Sequence, residues 1–115
     1  MHIKRNHYTV RAEAIRRIEA MLEDLSHRPM PAGVKIKHLT RNWSGGGMRF
    51  DIRAGKSVFS AKISGTVAVS DDSVTLDCKL PDIVTLFAAE AKIAECVNGI
   101  LDNLFPQPPV SVAGR

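Results

Sequence analysis

Two cysteines in 115 residues, Cys78 and Cys96, are too few for a disulfide framework and lack the paired spacing of a zinc site. Both read as reduced, buried thiols, because free cysteine behaves as a small apolar residue. No apolar run approaches the roughly 20 residues needed to cross a bilayer. The opening MHIKRNHYTV also lacks the apolar stretch of a secretory signal. These absences predict a cytoplasmic chain with no transmembrane segment. Aromatic residues make up only 5% of the chain, so its basic stretches are not interleaved with rings that could stack on bases.

Catalytic patterns are missing as well. His2, His27 and His38 have no ligand-like spacing, and nothing in the sequence places a cysteine, serine or carboxylate beside His7 to build a nucleophilic arrangement. Asp71 and Asp72 fall in a turn, Asp77 on the polar face of a strand and Asp82 at a helix start, so each has a structural role. The SGGG run from Ser44 to Gly47 precedes a strand; a phosphate-cradling loop requires a helix there, and the run reads as a hairpin turn. No enzyme activity, metal or cofactor is expected.

What remains is an ordinary globular composition, 44% apolar and 24% charged, at a length that supports one core. Charge is uneven. Residues 1 to 56 hold twelve Lys and Arg against five Asp and Glu, a balance of +7, whereas residues 57 to 115 hold four against seven, or −3. Such asymmetry suits an anionic partner or a solvated face.

Hydropathy periods give the order of elements. His2 to His7 reads as a short strand. A helix follows from about Val10 to Ser26, with Thr9 as its cap and a stripe of Ala14, Ile15, Ile18, Met21, Leu22 and Leu25. Pro29, Pro31 and Gly33 break it. Period-two alternation then begins at Val34, shifts near His38 and Leu39 as at a bulge, and resumes over Met48 to Ile52. Ala54 and Gly55 predict the next turn. Phe59 to Val69 and Val74 to Leu80 predict two further strands, with Gly65 on the apolar face of the first. Pro81 and Asp82 open a second helix carrying Leu86, Phe87, Ile93, Val97, Ile100, Leu101 and Leu104. The prediction is one α+β domain over residues 1–105, an antiparallel sheet of four to five strands with two helices on one face, ordered β-α-β-β-β-β-α. Residues 106–115 form a flexible Pro-rich tail.

Several features recur together: Ile3, Arg5 and His7; the AEAIRRIE stretch from Ala12 to Glu19; Trp43 with glycines before Met48 and Phe50; and Gly65 and Val67 leading into DDSVTLDCKLP and the closing helix. Over residues 2–105 this resembles the polyhydroxyalkanoic acid system proteins, small bacterial proteins associated with storage-polyester genes and granules. The resemblance implies a bacterial cytoplasmic protein tied to granule formation or regulation, and it carries no catalytic signature. The chain departs from the pattern in a longer segment around Pro29 to Leu39 and in its Pro-rich tail.

Six residues stand as candidates for ligand or partner binding. Arg5 and His7 could together hold an anion or serve structural hydrogen bonds. Trp43 is either core or an interface anchor. Phe87, Leu101 and Phe105 add bulk to a helix face that is either buried on the sheet or partly uncovered for docking. The leading function is a non-catalytic granule protein that binds the polyhydroxyalkanoate surface or granule proteins. A small carrier of a hydroxyacyl or fatty-acyl ligand in a helix–sheet cavity is the alternative. A basic nucleic-acid-binding regulator ranks third, with nucleic acid the disfavoured partner. A homodimer through an open strand edge is a further expectation.

Overall fold

A computed structural model describes residues 1–27, 33–56, 59–80 and 90–108. Strand β1 (His2–Asn6) leads into helix α1 (Arg11–Asp24), which tightens into a 3-10 turn at Leu25–His27. Four strands follow, β2 (Lys35–Ser44), β3 (Gly47–Lys56), β4 (Phe59–Val69) and β5 (Ser73–Lys79), and then helix α2 (Glu90–Leu104). The five strands form one antiparallel sheet in the spatial order β1-β5-β4-β3-β2. The fold is therefore α+β in the expected order. The longest strand, β4, lies in the interior of the sheet, leaving β1 and β2 as the edges.

Period-two alternation puts Met48, Ala54, Ala61, Ile63, Val67, Val69 and Val74 on the covered face. The helical stripes answer from above with Ala14, Ile18 and Leu22 of α1 and Ile100 and Leu101 of α2. Ser44 pairs with Gly47 across a two-residue hairpin turn in which Gly45 takes φ +61°, a conformation cheap only for glycine. Between Lys37 and Thr40 the β2–β3 register slips, and His38 there adopts φ 54°, so the expected bulge is present.

Two local expectations give way. Ala54 and Gly55 are strand, paired with Ala61 and Ser60, because the even-numbered apolar phase of β3 continues through Ala54 into the core. Thr9 is not the helix cap: Val10 holds that position with no side-chain bond, and the Thr9 N–H is taken up by His7 Nδ1. The Pro29–Pro31 break, the Asp82 cap, the Leu86 and Phe87 part of the second helix, and the tail from Pro109 onward lie outside the described residues.

Charged side chains fasten the helices to each other and to the sheet. Arg17 bonds Glu13 at 2.8 Å and donates to the Leu104 carbonyl at 3.1 Å, which satisfies a free carbonyl at the end of α2. Arg16 and Arg17 together hold the Glu13 carboxyl at about 2, against an ordinary value of 4.5. A depressed carboxyl stabilises the fold above its unfolded value, and that contribution is lost as pH falls toward about 2. Acid titration of the Glu13→Gln variant is therefore expected to lose part of the unfolding response between pH 4.5 and 2 that the wild type shows. Identical acid curves would contradict the assignment.

Candidate functional site

Between the sheet and the helices lies a cavity of about 180 Å³. The sheet supplies Ile52, Ile63 and Cys78 to its wall, α1 supplies Met21, and α2 supplies Ile93 and Cys96. Every lining side chain is apolar or a thiol. An apolar void of about 150 Å³ stays dry and takes up benzene, because water there would lack polar partners. This space is large enough to accept an apolar guest of that size or slightly more. The short side chain of Ala54 in its wall leaves room below the helices.

The cavity is chemically quiet. Burial pushes the Cys78 thiol above its ordinary range, which disfavours the nucleophilic thiolate. Two ion pairs lie outside it: His2 contacts Asp77 on the far side of the sheet, and Arg41 of β2 meets Glu19 of α1 at 2.6 Å. The Arg41 guanidinium holds Glu19 below the usual carboxylate range, opposed in part by desolvation. The Trp43 indole N–H assists from nearby without reaching hydrogen-bond geometry, so its Nε1 is buried and unpaired.

Of the residues singled out from the sequence, Arg5 on β1 and His7 just after it do not converge on one site. Arg5 reaches across to α2, donating to Asn98 Oδ1 at 2.9 Å and pairing with Asp102. His7 is fully buried. Its Nε2 donates to the Ser70 carbonyl at 2.9 Å while Nδ1 accepts from the Thr9 N–H at 3.2 Å, which fixes the tautomer. Both rings of the His7–Phe105 pair lie in the interior, with centroids 6.1 Å apart. The anion-binding reading of Arg5 and His7 thus has no free groups to rest on, and their hydrogen bonds are structural.

Leu101 and Phe105 belong to the main core cluster, and Phe105 is only 2% exposed. At these two positions the helix face is turned into the core, and the Phe105 ring lies against His7. Trp43 packs partly buried against the same core. Phe87 lies outside the described residues. Among those described, the large apolar side chains left in solvent are Tyr8 and Val10, 47% and 65% exposed. Tyr8 sits at φ 55°, an unusual conformation for a bulky residue, in the turn that the His7 ring braces.

The cavity wall was hidden in the sequence among ordinary stripe positions. Ala54, the one alanine of that wall, is the local trace of it, since a short side chain under helices leaves volume to be filled. No helix among the described residues is long and apolar enough to cross a membrane.

Residues 1–105 match the family model described as “Putative polyhydroxyalkanoic acid system protein”. No curated protein and no solved structure matches the chain. A match over nearly the whole described fold is enough to place it: the chain belongs to the polyhydroxyalkanoic acid system family.

Proposed function

We propose that this protein serves the polyhydroxyalkanoate system by non-catalytic binding in the cytoplasm, taking a short hydroxyacyl or acyl chain into the cavity between helices and sheet. The single observation behind this reading is the apolar void of about 180 Å³ between the helices and the sheet. Because no polar side chain lines the void, the guest's apolar tail is what it recognises, and the carboxyl end stays outside. Family membership supplies the biological setting, and storage granules supply a local source of such chains.

An environment-sensitive acyl probe displaced by hydroxyalkanoic acids is the direct test. Cys96→Phe places a ring in the void and is expected to weaken probe binding at least about tenfold while leaving the melting temperature unchanged or higher, since filling a void restores lost contacts. The same probe is expected to slow thiol modification of Cys78 and Cys96, both of which line the cavity. Unchanged affinity in Cys96→Phe together with unprotected thiols would put the ligand elsewhere. Partition of a tagged chain between cytosol and purified granules tests the setting separately, and exclusion from granules would leave a soluble carrier.

A further inference from the structure

The sheet face turned away from the helices carries an arrangement that strand pairing disfavours. Lys37 on β2 stands directly opposite Arg53 on β3, and Arg53 stands directly opposite Lys62 on β4. All three are exposed. Like charges opposed across strands destabilise a sheet, yet here three follow in one row. The row is extended by Lys35, the next same-face position along β2, and by Lys79 of β5, which opposes Ser64 two residues beyond Lys62.

Little on the face neutralises this cluster. Asp51 approaches Lys62 at 3.9 Å and accepts a hydrogen bond from Ser64. Arg53 reaches the Ser60 hydroxyl at 3.4 Å. Among the described residues no carboxylate pairs with Lys35, Lys37, Arg53 or Lys79. Gly55, Ser60, Ser64 and Thr66 fill the spaces between the cations, so no aromatic ring stands among them on which a base could stack. Nor does a helix or ribbon stand out from it to enter a duplex groove. A broad sheet with its cations in one layer fits a broad anionic layer.

We propose that this outer face docks on an anionic phospholipid surface, with Lys37, Arg53 and Lys62 at its centre. Attraction of basic side chains to anionic headgroups contributes about fivefold per cation near the surface, falling off within a Debye length. The site is on the opposite side of the sheet from the cavity and stands independently of what the cavity holds.

Cosedimentation with phosphatidylcholine vesicles, with and without phosphatidylglycerol, tests it. The protein is expected to pellet only with the anionic vesicles and to be released by added salt. Arg53→Glu changes the centre of the row by two charges and is expected to weaken binding by roughly 25-fold. The same substitution places a carboxylate between Lys37 and Lys62, so its melting temperature is expected to rise by a few degrees. Loss of binding with a gain in stability separates a binding surface from a damaged fold. Lys92→Glu, on α2, alters net charge equally and is expected to leave binding within about twofold, at the scale of general screening. Should Arg53→Glu not fold, the Lys37→Gln, Lys62→Gln double variant gives the same reading with smaller expected loss. Equal binding to neutral vesicles, no binding to anionic ones, equal weakening by Lys92→Glu, or preferential binding of duplex DNA would each overturn the proposal.

Discussion

Phe105→Ala is expected to lower the unfolding free energy by about 3–5 kcal/mol, the usual loss when a buried aromatic is truncated and the space does not collapse. Phe105 ends α2 in a nearly sealed position, its backbone N–H bonded to the Leu101 carbonyl at 2.8 Å and its ring against the buried His7. Truncation would therefore remove the packing that ties α2 to β1 and leave the His7 hydrogen bonds to Ser70 and Thr9 open to water. Against a total of about 5–15 kcal/mol for a domain, the loss is a third or more of the stability. Thermal unfolding should show a fall of well over about ten degrees, with Phe105→Leu intermediate. A loss below about 1 kcal/mol would mean that the ring is not packed as described.

Gly65→Ala is expected to cost about 2–3 kcal/mol, and Gly65→Val more, even though alanine and valine suit a strand better than glycine. A Cβ at this position would fall 2.6 Å from the Asp77 backbone oxygen, 2.7 Å from Cys78 Cβ and 2.7 Å from Phe50 Cζ. The Phe50 ring can turn aside. Asp77 belongs to the β4–β5 ladder, and moving its carbonyl would open the pairing of Thr66 with Asp77 and of Gly65 with Cys78. Urea unfolding of the two variants gives the check, and wild-type stability in Gly65→Ala would show that the strands have freedom to part.

How far the sequence revealed these positions differs from residue to residue. Gly65 interrupts an apolar face in the sequence, and the structure shows that the neighbouring strand and the Phe50 ring leave no room for a side chain there. Phe105 was placed on the apolar side of α2, but whether that end was covered depended on His7, nearly a hundred residues earlier. Ala54 and Gly55 suggested a turn because small residues are common there, whereas the deciding factor was the pairing with Ala61 and Ser60. Thr9 is a good cap by type, but the helix starts one residue later and leaves Val10 at the cap position with no side-chain bond.

The cavity and the basic row were hidden for different reasons. A cavity depends on how far helices stand above a sheet, and the hydrophobic period is the same for a filled core and a hollow one. The basic row existed in the sequence only as alternating Lys and Arg. It takes the β2–β3 register, set on one side of the slip between Lys37 and Thr40, to put Lys37 beside Arg53.

The placement of β1 at the sheet's edge next to β5 bears on how the chain comes off the ribosome. Strands β2 to β5 are consecutive neighbours and can pair as each emerges, but His2 and its contact Asp77 are separated by 75 residues. At roughly 5–20 residues per second, β1 waits about 4–15 s for its partner strand. During that interval β1 has no partner strand and His7 has no shelter, so the earliest of these strands is the last to dock.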